Sequence, residues 1–210
     1  ATLDALGRYR VGAAIITDEE DIALRVPRLI DAATDFFCVD TAHGDTIFVL
    51  RTTEWIATNY PEAVIMAGNV STAEGTLRLI DAGAGIIRVG NGTGLICITQ
   101  YVTRTGSSPA VGLYRAAAVA SRFNIPVVAD GGIRNSGDVV AALALGASAV
   151  MVGTYFAPLP ESAAPEESVV IDGQSVLRKV HRGIAAAEAI HDRIATRYDD
   201  SGNPSEKPQP

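Results

Sequence analysis

Six short, nearly continuous apolar runs alternate with longer amphipathic stretches over the first three quarters of the chain. No other feature restricts the fold as much. The runs are residues 10–15, 36–40, 63–67, 86–89, 126–129 and 148–152. A strand without polar alternation is buried on both faces, which is the signature of a parallel sheet covered by helices. The stretches between them, at about 19–33, 46–59, 72–82, 110–123 and 137–145, are mostly long enough to be crossover helices. Helix starts are marked by Ser71-Thr72-Ala73-Glu74, with capping-box spacing, and by Asn135-Ser136 before Gly137-Asp138; Gly83 and Gly146 mark ends. Leu29-Ile30-Asp31-Ala32-Ala33 recurs about fifty residues on as Leu79-Ile80-Asp81-Ala82-Gly83, each time leading into a strand, as a repeated βα module would.

This βαβα pattern predicts an α/β fold of the TIM, or (β/α)8, barrel type. Eight units and about 250 residues are usual for that fold, so six units leave the barrel two short. Residues 1–157 are read as the barrel part. Beyond them Pro158, Pro160 and Pro165 interrupt the chain, residues 168–171 suggest a short strand before Asp172-Gly173, and residues 183–196 have helical composition. Residues 199–210 are polar and Pro-rich and are read as a disordered tail.

Composition removes several function classes. The chain has 210 residues, 48% hydrophobic and 20% charged, which excludes disorder throughout. A net charge of −7 and a pI of about 4.9 offer no basic face to nucleic acid or to anionic lipid. No apolar run approaches the roughly 20 residues of a membrane span, and Ala1-Thr2-Leu3-Asp4 lacks signal-peptide character, so a cytoplasmic protein is expected. Cys38 and Cys97 are not part of a CxxC pair, which argues against a disulfide scaffold and a zinc ribbon.

In α/β folds ligands bind at the carboxyl ends of the strands. There this chain carries Asp40-Thr41-Ala42-His43-Gly44, Gly68-Asn69, Gly90-Asn91-Gly92, Asp130-Gly131-Gly132 and Gly153-Thr154. The last two suit a phosphate, through bare backbone N–H groups and the helix start near Ser136. Asp130 is either an acceptor for a ribose diol or a helix N-cap. The segment 90–108 is too long for a simple connection. Cys97 within it is either a nucleophile or a buried thiol, whereas Cys38 in Phe36-Phe37-Cys38-Val39 reads as core.

Gly90-Asn91-Gly92-Thr93-Gly94-Leu95-Ile96-Cys97-Ile98-Thr99-Gln100, with the segments Ala129 to Asp138 and Val150 to Thr154, resembles the inosine-5′-monophosphate dehydrogenase and guanosine-5′-monophosphate reductase family. Arg10 to Ala14, Val39 to Gly44 and Ala67 to Val70 carry the same likeness, which extends to about Tyr198. The resemblance implies a barrel whose first two βα units are the absent ones, and a flap within residues 158–198. It makes Cys97 the nucleophile at purine C2 of IMP, oxidised with NAD to XMP through a covalent thioimidate, and Thr99 its neighbour in that step. It places Asp130 on the IMP ribose, Gly131, Gly132, Gly153 and Thr154 around the phosphate, and His181 and Gly183 in a diverged nucleotide-contacting stretch. Asp40, Asn69 and Gly90 fall in the NAD region. Carbonyls of Gly92, Gly94 and Cys97 correspond to a potassium site, and Arg197-Tyr198 to the dyad that activates water. A homotetramer is implied as well.

Arg197-Tyr198 and Thr41-Ala42-His43 favour the dehydrogenase over a reductase, which has no hydrolytic step. Leu95 stands where the family usually has a phosphate-binding serine, a loss of about 1–3 kcal/mol. His181, Ala185-Ala186 and Gln100 also depart from the family pattern. The alternatives are a GMP reductase and a non-catalytic nucleotide-binding barrel.

Overall fold

The computed structural model describes residues 3–94, 97, 99–171 and 173–180. Its elements run β1 (Gly12–Ile15), α1 (Glu19–Asp31), β2 (Phe36–Asp40), α2 (Ile47–Asn59), β3 (Ile65–Val70), α3 (Ala73–Asp81) and β4 (Ile86–Val89). Then come α4 (Thr99–Thr103), α5 (Pro109–Ala120), β5 (Val127–Asp130), α6 (Ser136–Ala144), β6 (Ala149–Met151), β7 (Glu166–Ile171) and β8 (Gln174–Lys179). The chain divides into two compact units, Ala1–Tyr155 and Phe156–Pro210.

In the first unit the six strands pair strictly in chain order, β1-β2-β3-β4-β5-β6, and every pair is parallel. Strand order settles the kind of α/β fold. A doubly wound sheet reverses direction at a switch point, and this one never does. With right-handed crossovers, each connection therefore lays its helix on the same face, as in a barrel wall. Ile15, Phe37, Val39, Ile65, Ile87 and Val127 of the strands form one buried cluster with Val26, Ile56, Leu79 and Ala116 of the helices. That cluster is why these strands read as continuous apolar runs.

Local chemistry sets the helix ends. Asp18 caps α1 by accepting from the Asp21 N–H at 2.8 Å, Glu19, Glu20 and Asp21 occupy its first turn, and Arg28 lies in its last, all favourable to the helix dipole. Asn135 and Asp138 form a reciprocal capping box at α6. At α3 the expected start is displaced by one residue. Thr72, not Ser71, is the cap and accepts from the Gly75 N–H at 3.0 Å, while the Ser71 hydroxyl turns to Asn91. Gly83 and Gly146 follow α3 and α6 with φ of +101° and +102°.

Two further differences bear on the site. The long segment after β4 contains the short helix α4. In addition, β3 continues to Val70 instead of ending before Gly68. Gly68 pairs with Arg88 and Val70 with Val89, so one residue, Asn69, is extra: a β-bulge.

In the second unit β7 and β8 form an antiparallel hairpin from the pair Glu166↔Lys179 to Ile171↔Gln174. The sequence suggests a strand only over 168–171. The pairing runs as far as Ile171↔Gln174, and Gly173, at φ +78°, supplies the backbone conformation that so tight a turn requires. Lys179 closes its open end, 2.9 Å from Glu166 and donating to the Ser162 carbonyl at 3.0 Å.

Candidate active site

The carboxyl edge of the first unit's sheet gathers polar residues from four consecutive strands. Asp40 ends β2 opposite Gly68, Gly68 pairs with Arg88, and Asp130 ends β5 opposite Met151. Gly153 and Thr154 follow Met151 at this edge. The centre of the group is Arg88, 6% exposed although charged. Its guanidinium forms a short ion pair with Asp40 and lies 3.8 Å from the Asp130 carboxylate. Burial alone would weaken its hold on the proton. Cys38, Asp40 and Asp130 outweigh that effect and raise its pKa above the ordinary arginine value.

Sequence reasoning overlooked Arg88. The signal was a lone charge inside Ile86-Ile87-Arg88-Val89, where a strand buried on both faces tolerates one only with partners. Cys38 is buried as expected, and burial pushes its thiol up to about 11, against a smaller opposing effect of Arg88.

The bulge explains the direction of Asn69. Its side-chain amide donates to the Gly90 carbonyl at 2.6 Å and to Asp130 Oδ2 at 2.8 Å, linking the ends of β3, β4 and β5. Its Oδ1 is buried and has no hydrogen-bond partner among the described residues. Asp130 therefore does not cap α6, which Asn135 caps, and the N-cap alternative falls.

The segment after β4 rests on the turn after β5. Thr93 donates from its hydroxyl to the Asp130 carbonyl at 2.7 Å. Close approach requires glycine on both sides. Gly90 has φ +143°, and a Cβ there would come within 2.0 Å of the Asp130 carbonyl oxygen; one on Gly131, φ +83°, would lie 2.5 Å from Thr93 Oγ1. A cavity of about 260 Å³ is lined by Gly90, Asp130, Gly131 and Gly132 together with Pro109 and Leu113 of α5. A larger one, about 530 Å³, lies between α1 and α2 beside Ile22, Phe48 and Trp55 and shares no residue with this edge.

Cys97 is exposed, which removes the buried-thiol reading. Its N–H donates to the Gly94 carbonyl at 2.9 Å, and its thiol stands 3.2 Å from Thr99 Oγ1 at the start of α4. Gly92 abuts the Gln100 side chain. Among the described residues no group of three or more His, Cys, Asp or Glu could hold a metal ion. The carbonyls of Gly92, Gly94 and Cys97 are instead the donor type that replaces the hydration shell of a monovalent cation. His181, Gly183, Arg197 and Tyr198 lie outside the described residues, as does Leu95. Among those described, no helix is long and apolar enough to cross a membrane.

A sequentially wound, six-stranded parallel sheet that gathers two carboxylates, a buried arginine and an exposed thiol at its carboxyl edge places the chain in the α/β class, in the arrangement of part of a barrel wall. The family model for the IMP dehydrogenase / GMP reductase domain matches residues 1–209. The inosine-5′-monophosphate dehydrogenase of Aquifex aeolicus is 47% identical over 199 residues, covering 94% of this chain and 40% of its own length. That of Haemophilus influenzae is 41% identical over 210 residues, 99% of this chain and 41% of its own. The Halalkalibacterium halodurans dehydrogenase is 40% identical over 201 residues, 95% of this chain and 40% of its own. The chain belongs to the IMP dehydrogenase / GMP reductase family and spans about two fifths of the length of these relatives.

Proposed function

We propose that this chain carries most of the catalytic barrel of an NAD-dependent IMP dehydrogenase, with Cys97 as its nucleophile. The observation that carries this reading is an exposed thiol on a segment fastened, through Thr93, to the turn that presents Asp130. The purine nucleotide lies with its ribose on Asp130 and its phosphate on Gly131, Gly132, Gly153 and Thr154. The Cys97 Sγ bonds purine C2 while the C2=N3 double bond opens toward N3, which takes up the thiol proton. Thr99, 3.2 Å away, orients the sulfur. Loss of hydride from C2 would leave the thioimidate on Cys97, and NAD, held by Asp40 and Asn69, would supply the hydride acceptor. Water, activated by Arg197 with Tyr198, displaces sulfur from the thioimidate, yielding XMP and freeing Cys97 for the next turnover.

The residues present fit the dinucleotide. Asp40 gives Arg88 its Oδ1, and a carboxylate has a second oxygen to offer a ribose hydroxyl. Asn69 Oδ1, buried and without a hydrogen-bond partner among the described residues, suits a donor on a bound ligand. On the same reading potassium is held by the carbonyls of Gly92, Gly94 and Cys97. Two further βα units stand between β6 and β1, His181 and Gly183 meet the nucleotide, and residues 158–198 serve as the flap. The protein is then a cytoplasmic homotetramer acting in guanine nucleotide synthesis.

The test is turnover by the full chain of IMP with NAD, beside GMP with NADPH. NADH formation from IMP, absent in Cys97→Ala, is expected. Consumption of NADPH with GMP alone would make the protein a reductase. Binding of IMP without turnover of either pair would leave a non-catalytic barrel, the outcome to which Leu95 points.

A further inference from the structure

Asn91 lies in Gly90-Asn91-Gly92, one of the turns at the carboxyl edge, where the sequence assigns it no role of its own. Such a residue ordinarily exposes its side chain or bonds its own turn. Asn91 does neither. It is 9% exposed, and its polar atoms reach other segments. Its Nδ2 donates to the Ala42 carbonyl at 2.9 Å and to the Asn69 carbonyl at 3.1 Å, and stands 3.4 Å from His43 Nδ1. Its Oδ1 accepts from the Ser71 hydroxyl. Its main-chain carbonyl accepts from Gln100 Nε2 at 2.7 Å, and the same nitrogen reaches the Ser107 carbonyl at 3.3 Å.

We infer that Asn91 is a positioning residue, fastening the segment that carries Cys97 to the ends of β2 and β3 and thereby fixing the thiol relative to Asp40 and Asn69. Both halves of the amide are required: donors for two carbonyls, an acceptor for a hydroxyl. Aspartate lacks the donors, leucine lacks both, and alanine reaches none of the partners. Gln100 completes the fastening. A Cβ on either Gly92 or Gly106 would stand 2.5 Å from its Cγ, so its side chain is held between the two limbs of the segment while its amide holds Asn91. The consequence for catalysis rests on the reading of Cys97 as nucleophile. The fastening itself does not.

The test therefore has two arms on the full chain. In the first, trypsin cleavage after Arg104 is followed by fragment mass. Arg104 lies exposed in this segment, with its guanidinium over the Tyr101 ring at 5.2 Å. Asn91→Ala is expected to speed cleavage about tenfold, the effect of losing one to two net hydrogen bonds. Asn91→Asp, which keeps the acceptor but loses the donors to the Ala42 and Asn69 carbonyls, is expected to do the same and serves if Asn91→Ala does not fold. In the second arm both variants lower kcat for IMP oxidation about tenfold while KM for IMP stays within about twofold, a split that general destabilisation would not give. Unchanged cleavage at Arg104 in a folded variant overturns the inference. Faster cleavage with unchanged kcat overturns the link to Cys97. Faster cleavage in a chain that never oxidises IMP, even unmutated, refutes the dehydrogenase reading and upholds the fastening.

Discussion

Asn69 and Asp130 are separated by 61 positions in sequence, and the Asn69 amide donates to Asp130 Oδ2 across 2.8 Å. Because the same nitrogen also binds the Gly90 carbonyl, one side chain sets the spacing of three strand ends. Replacing Asn69 by alanine removes a hydrogen bond to a charged acceptor and is expected to cost about 1–2 kcal/mol in urea unfolding. Asn69→Asp places a second carboxylate against Asp130 and is expected to cost more at neutral pH.

Arg88 is the counter-charge for both carboxylates. Its side chain is 7% exposed, those of Asp40 and Asp130 are 30% and 26%. Arg88→Met leaves two negative groups partly buried without it, at an expected cost of about 2–3 kcal/mol, less than for a fully buried pair because the carboxylates keep some water. In the double variant Arg88→Met with Asp40→Asn the loss is expected to be smaller than the sum of the two single losses. Additivity in denaturant melts would show that the pair is uncoupled.

The two cysteines should separate cleanly by chemistry. Iodoacetamide at mildly alkaline pH is expected to label Cys97 and spare Cys38, as read by peptide mass. For Cys38 the folded thiol, at about 11, holds its proton more tightly than the unfolded one, at its ordinary 9.0. The unfolded chain thus loses that proton first, and stability falls as pH rises from about 9 to about 11. The fall should amount to about 2 kcal/mol in the native chain relative to Cys38→Ala.

Gly131→Ala puts a Cβ 2.5 Å from Thr93 Oγ1 at a backbone φ of +83°. The strained backbone alone is worth about 1–3 kcal/mol. The larger expected effect is displacement of Thr93 from the Asp130 carbonyl, read as faster proteolysis of the following segment. Gly132→Ala, whose Cβ would lie 3.5 Å from the Thr93 carbonyl oxygen, should disturb that contact less.

The barrel wall was legible because burial on both faces leaves strands no polar positions, and alternation with amphipathic stretches allows few other layouts. The helix ends were mostly legible for local reasons: Asn135 and Asp138 signal their capping box within four residues. Ser71 and Thr72 show the limit. Two adjacent hydroxyls can each cap, and Asn91, twenty positions away, claims the first. Cys97 and Asp130 stood out as residue types on glycine-rich turns. Asn69 was placed in a turn because a bulge exists only in the pairing of β3 with β4. Arg88 and Asn91 were missed as site residues because their partners come from other strands, and periodicity along one chain does not reveal them.

The central claim is that Cys97 attacks the purine. Its most direct test is the intact mass of the full chain quenched during turnover with IMP and NAD, beside Cys97→Ala. The account predicts a nucleotide-sized mass increase that maps to Cys97 and is absent in the variant. NADH formation with no such adduct under any quench, or an equal adduct in Cys97→Ala, would contradict it.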